Sequence, residues 1–197
     1  MDCYRMRRSG APSIVVDRFN RANGNLGNAD SGQAWQSNGA NTTAWDVSSN
    51  IAKRASVTNS VNDAAYIDCG RTDVVVSADI TMGGSSQGSH LVARMSGNTF
   101  DNSMSMYLHP SGQVAVRKRI AGSDTFLGAT TFSYTAGATY ACVFECKGND
   151  FTVTINGVVK VSVTDDNALK TNTKVGMHLP LATSAASDFF DNFIVKG

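Results

Sequence analysis

Apolar and polar residues alternate with a period of two along most of this chain. Val74, Val76, Ala78 and Ile80 alternate with Ser77, Asp79 and Thr81. Phe151, Val153 and Ile155 alternate with Thr152 and Thr154, and Phe193 and Val195 continue the pattern near the C-terminus. Successive side chains of a strand point to opposite faces, so each run supplies one face for a core and one for another use. Similar runs cover residues 14–20, 44–47, 51–57, 64–69, 90–95, 104–109, 113–120, 139–147, 158–163, 175–179 and 189–195. Gly97-Asn98, Pro110-Ser111-Gly112, Gly148-Asn149 and Asn156-Gly157 separate many of them at hairpin spacing, as does the Gly/Ser-rich stretch 83–88. Only residues 165–169 read as a helical turn. The pattern predicts about a dozen strands, and therefore an all-β fold, a two-sheet antiparallel jelly-roll sandwich. Residues 1–12 lack the pattern and read as an N-terminal arm. Residues 13–197 read as the sandwich domain, without repeat or linker.

Composition narrows the function. Hydrophobic residues make up 42% of the 197, enough for a substantial core, and the net charge is only +1. No global field would draw the chain to nucleic acid or to an acidic membrane, and no apolar run is long enough to span a bilayer. Arg5, Arg7 and Arg8 form a short basic arm, too small to argue nucleic-acid binding. The first eight residues lack the apolar stretch of a secretory signal. That predicts cytosolic synthesis, or exit by another route such as inside a virus particle. Cys142 and Cys146 stand four apart in one strand, about 13 Å between Cα atoms, which is too far for a disulfide. With Cys3 and Cys69 they read as free thiols.

Three segments taken together resemble a known superfamily. They are the stretch from Asp17-Arg18-Phe19-Asn20 to Gly27 with Gln33-Ala34-Trp35 after it; Phe151 to Gly157 with Asp165 and Val175-Gly176-Met177 downstream; and Phe190-Asp191-Asn192-Phe193-Ile194-Val195. In order and spacing they resemble the concanavalin A-like lectin/glucanase superfamily, in its laminin-G-like branch, over residues 13–197. Domains of this kind occur as accessory modules of bacterial secreted enzymes and in bacteriophage virion proteins. The resemblance implies two antiparallel sheets, one of them concave, with ligands on the concave face or at loops along one rim. It also implies a structural Ca2+ tying the termini together, with Asp191 and Asp17 at the matching positions. The alternative for Asp191 is local capping or pairing.

The same resemblance sharpens the search for catalysis. Related glucanases carry a Glu-x-Asp-x-x-Glu type cluster, and glycosidases need two carboxylates across the scissile bond. Here Glu145 is the only glutamate, and Asp79 is the only carboxylate in the strand 75–81. Gly84-Ser85-Ser86-Gln87-Gly88 matches Gly-x-Ser-x-Gly, but a strand follows where a nucleophile elbow needs a helix. His90, His109 and His178 lack metal-type spacing. No enzyme is expected.

Binding remains. Alternation places Leu91, Ala93 and Met95 inward with Met104, Met106, Leu108, Val114 and Val116. If the central strands are neighbours in one sheet, Asp79, His90, Arg94, Tyr107, His109, Arg117 and Arg119 share its outer surface. A tyrosine ring can stack on a sugar, and Arg, His and Asp can bond hydroxyls or carboxylates. This suits a glycan or anionic polymer; an ordinary solvated face or an interface in a homo-oligomer are the alternatives. Trp35 and Trp45 are expected in the core rather than as sugar platforms. Two functions fit. One is a non-catalytic virion surface protein, a capsid decoration or tail component joined to other virion proteins through its arm, that adheres to host glycans. The other is an extracellular carbohydrate-binding accessory module of a bacterial polysaccharide-processing system.

Overall fold

The computed structural model describes residues 12–37, 45–55, 64–83, 88–166, 169–180 and 188–197. The arm predicted for residues 1–12 therefore lies outside the described residues, except for Pro12, as do Cys3, Ala44 and the serines of the Gly-x-Ser-x-Gly match. Among the described residues there are sixteen strands and no helix.

They form two sheets in which every pairing is antiparallel. The nine-stranded sheet runs β14 (Val158–Thr164), β13 (Asp150–Ile155), β12 (Thr139–Lys147), β7 (Val74–Thr81), β16 (Phe189–Lys196), β5 (Ile51–Arg54), β4 (Trp45–Ser48) and β2 (Gly24–Asn25), with β1 (Ser13–Asp17) paired to β16. The seven-stranded sheet runs β11 (Ser123–Thr131), β10 (Gln113–Ile120), β9 (Ser103–His109), β8 (Ser89–Met95), β15 (Lys174–His178), β6 (Ala64–Asp68) and β3 (Gln36–Ser37). Their inner faces enclose one core. Val76, Ile80, Phe144, Phe151, Phe190 and Phe193 come from the larger sheet, and Leu91, Met104, Met106, Leu108, Val116 and Met177 from the smaller. Each such side chain contributes about 1.5–3 kcal/mol on burial. The alternation that predicts the sandwich is visible in β7, which is buried at every second residue.

β12 turns Tyr140, Cys142, Phe144 and Cys146 inward together. Cys69, Cys142 and Cys146 are free thiols, as expected. Burial raises the Cys142 and Cys146 thiols far above their usual range, so both stay protonated packing groups.

Two bulges decide which side chains reach which face. Between β8 and β15, Met95 pairs with Lys174 but Val92 pairs with Gly176, so β8 carries one extra residue. Arg94 sits there at φ 49°. Between β16 and β7, Asp191 pairs with Asp79 but Ile194 with Ser77, with Asn192 at φ 52°. This second bulge lets both Phe190 and Phe193 face the core although they stand three apart.

The structure departs from the sequence reading in three places. Residues 165, 166 and 169–171 form an irregular stretch and a turn, not helix. Sixteen strands replace a dozen, chiefly through short edge strands and β11. β11 escapes the pattern because it is an edge strand with no alternating apolar face, and its hairpin turns on Ala121-Gly122 (φ 48° and 79°). Asn156-Gly157 adopts the same positive-φ pair with the residues that favour it.

Candidate functional site

The outer face of the seven-stranded sheet collects the aromatic and cationic groups. β8 presents His90, β9 presents Ser105, Tyr107 and His109, and β10 presents Arg117 and Arg119, because those positions oppose core residues one step away. Cross-strand pairing sets His90 against Tyr107, with ring centroids 4.7 Å apart. Tyr107 also lies 5.3 Å from His109 and 5.9 Å from Phe126 of β11. The Arg117 guanidinium sits 5.4 Å from the Tyr107 centroid and 5.1 Å from that of Phe100. Aromatic and cation–π contacts of this kind hold the rings at fixed tilt.

Phe100 divides this face into a covered and an open half. It stacks on His178 at 3.8 Å and 10°, lies 5.1 Å from His90, and is fully buried. Beneath it His90 is buried completely and shares a 3.3 Å hydrogen bond through Nδ1 with Ser105 Oγ. Desolvation, followed by the positive fields of Arg117, His178, Arg119 and His109, holds the His90 imidazole well below its usual range, so it is neutral. Beyond Phe100 the face opens. Tyr107 and His109 are half-buried, Phe126 is 51% exposed, and His109 Nδ1 meets Ser111 Oγ at 2.6 Å.

The charges on this face are balanced. Asp124 accepts from Arg119 at 2.8 Å and pairs with Arg117 Nε at 3.3 Å, while Asp101 lies 3.6 Å from Arg119. Two guanidinium groups thus face two carboxylates. The open half presents the rings of Tyr107, His109 and Phe126, beside guanidinium groups that are each paired with a carboxylate. Burial raises the Tyr107 phenol, so it stays protonated as a donor.

Five of the seven expected binding residues, His90, Tyr107, His109, Arg117 and Arg119, share this face. The other two do not. Asp79 lies on β7 of the opposite sheet, where Oδ2 accepts from Asn192 Nδ2 at 2.9 Å. Alternation alone cannot say which sheet a strand joins. Arg94 is turned inward by the β8 bulge: it is 1% exposed, stacks 5.3 Å from Phe151, and donates to Thr72 O and Asp73 Oδ1. The same bulge moves Met95 off the core face expected for it, into an outer cluster with Ala64, Tyr66, Val92 and Phe100. Sequence reasoning missed Phe126, Asp124 and Phe100. The Ala121-Gly122 dipeptide after a strand was the available signal for β11.

Asp17 and Asp191 do not fit a calcium ion. Asp17 is fully buried and both carboxylate oxygens are occupied. Oδ1 accepts from Phe19 N and Arg21 Nη1, each at 2.8 Å; Oδ2 accepts from Arg21 Nη2 at 2.9 Å and Trp35 Nε1 at 2.6 Å. A cation would have to displace a bidentate guanidinium and an indole to reach these oxygens, and calcium takes six to eight oxygen ligands in all. Asp191 Oδ1 accepts from Asn192 N, and its carboxyl is raised by burial and by the nearby charges of Asp79 and Asp17. No group of three metal-ligating side chains occurs among the described residues.

The two sheets, their pairing order and their shared core define a concanavalin A-like jelly roll, the fold of lectins and carbohydrate-binding modules. Similar solved structures include the carbohydrate-binding module CBM66 of Bacillus subtilis, at 16% identity and a TM-score of 0.61, covering 83% of this chain and 95% of that one. The GH43 protein BlXynB of Bacillus licheniformis, in a mutant form, matches at 12% identity and 0.64, covering 92% of this chain and 39% of that one. The galectin LEC-6 of Caenorhabditis elegans matches at 9% and 0.50, covering 64% and 84%. At these identities the likeness is one of fold. The sequence matches no protein-family profile and no curated protein.

Proposed function

We propose that this chain is a non-catalytic carbohydrate-binding module that takes a neutral glycan on the outer face of the seven-stranded sheet. The observation carrying the reading is the open shelf of Tyr107, His109 and Phe126, supported from below by Arg117 and the paired Asp124. Ring faces at the surface stack on the apolar faces of sugars, while the imidazole, the phenol and Ser111 offer bonds to hydroxyls. Likeness in fold to a protein named as a carbohydrate-binding module supports the same reading.

Absence of catalysis is part of the proposal. The carboxylates beside the shelf, Asp101 and Asp124, are each engaged by Arg119. A paired acid and base there would have to break those ion pairs first. No observation on the described residues favours placement in a virion. An extracellular module acting beside a polysaccharide-processing enzyme is the reading the shelf supports.

The test is a glycan array probed with the wild-type chain, with the strongest hit then examined for product release. Binding without turnover, weakened about tenfold or more by Tyr107→Ala, is expected. Sugar release by the wild type, or binding indifferent to Tyr107→Ala, would overturn the proposal.

A further inference from the structure

The outer face of the nine-stranded sheet, opposite the shelf, carries a band without charge. Register sets Val16 (β1), Ile194 (β16), Ser77 (β7), Val143 (β12), Thr154 (β13) and Val159 (β14) side by side across six strands. The first five stand between buried neighbours and so point outward. Val159 joins them beyond a bulge in β14 and is 59% exposed. Five of the six are β-branched, and Ser77 Oγ donates to Ile194 O at 3.3 Å, which spends its polarity within the sheet. In a two-sheet sandwich no strand packs over this face. The band holds no ring or guanidinium, so it offers a sugar nothing to stack on. Protein surface of matching shape is what it fits.

The flanking charges identify the partner. Two residues along the strands on one side, Asp79 and Asp191 pair in register. Like charges directly opposite each other destabilise a sheet, and these two accept only from Asn192 among the described residues. Two residues along on the other side stands Lys196, exposed, in register with Val75 and in no ion pair among the described residues. A twofold axis lying along the band turns the acidic side of one copy onto the Lys196 side of the other. Each chain then supplies the cation that the other's carboxylates lack, and the two apolar bands meet face to face. The pattern is complementary to itself, as an isologous interface requires. Six strands about 4.8 Å apart, with up to eight residues at about 3.4 Å each, give a footprint of roughly 600–800 Å², near the about 800 Å² per partner of a standard interface. We infer that the chain forms a homodimer through this face, with the Tyr107 shelves on the two outer sides. The inference stands independently of the glycan reading.

Sedimentation equilibrium of the full chain from about 1 to 200 µM tests it, with circular dichroism confirming that each variant is folded. Reversible association to twice the mass of the chain is expected. Val159→Glu and Lys196→Glu alter exposed side chains, and each should weaken the dimer about tenfold or more. Combining Lys196→Glu with Asp79→Lys exchanges the charges and should restore association. Phe126→Ala, on the shelf, should leave it unchanged. A monomer at every concentration would overturn the inference. So would a dimer indifferent to both single variants, one that the charge exchange fails to restore, or one lost in Phe126→Ala, which would place the contact on the shelf.

Discussion

Asp17 gives the sharpest energetic prediction. Its carboxylate accepts four hydrogen bonds at 2.6–2.9 Å, from Phe19 N, both terminal nitrogens of Arg21 and Trp35 Nε1, and is wholly buried. Asp17→Ala strands three kinds of donor at once. The Trp35 indole N–H loses its acceptor in the core, at about 1–3 kcal/mol. Arg21 keeps its charge without a counter-ion, but it still donates to Leu26 O, and its side chain is 24% exposed and recovers some hydration. Removing one member of a buried ion pair typically costs about 3–5 kcal/mol, and the partial exposure of Arg21 places this pair toward the lower end. For a domain of this length that corresponds to a fall in Tm of roughly 6–20 °C. Thermal unfolding followed by circular dichroism, with urea midpoints as a second measure, would read it. Trp35→Phe, which removes one donor, should cost about 1–2 kcal/mol. In the double variant the costs should fall short of their sum, because the partners are shared. A loss below about 1 kcal/mol for Asp17→Ala would show that these bonds do not order the β1 region, and the argument against a cation there would fall with it.

Three other outcomes follow from the geometry. Asp191→Asn should raise stability at neutral pH, since burial, Asp79 and Asp17 raise its carboxyl; the gain should vanish below about pH 4, where the acid is protonated in both folded and unfolded chains, and a loss of stability would instead point to a bound cation. The neutral, buried His90 makes the folded state bind fewer protons than the unfolded chain, so stability is complete above about pH 6.5 and declines as pH falls below it; His90→Phe should flatten that acid limb of the Tm–pH curve, and an unchanged slope would contradict the assignment. Ala121→Gly should stabilise the β10–β11 hairpin by about 1 kcal/mol, because Ala121 occupies φ 48°, and no gain in the urea midpoint would count against strain at this turn.

The fold was legible where one face of a strand is buried and the other wet. β7, β12 and β13 alternate cleanly, and Asn156-Gly157 announced its hairpin in the sequence. The site was legible only in part. Tyr107, His109 and Arg117 reached the outer face because β9 and β10 keep strict alternation across a short hairpin. Arg94 and Met95 did not, because a single extra residue in β8 inverts everything beyond it, and nothing in the residue types marks the bulge. Asp79 failed for a different reason: pairing between β7 and β16 spans more than a hundred residues, and periodicity carries no information about partners so distant. Phe126 was hidden by the Ser/Thr-rich edge strand that bears it.

Amide chemical-shift mapping with the strongest glycan hit tests the central claim most directly. The account predicts perturbations concentrated at Tyr107, His109, Ser111, Arg117 and Phe126, with the outer face of β7 and β16 unmoved. Shifts centred on Asp79 and Asp191, or shifts absent at saturating glycan, would contradict it.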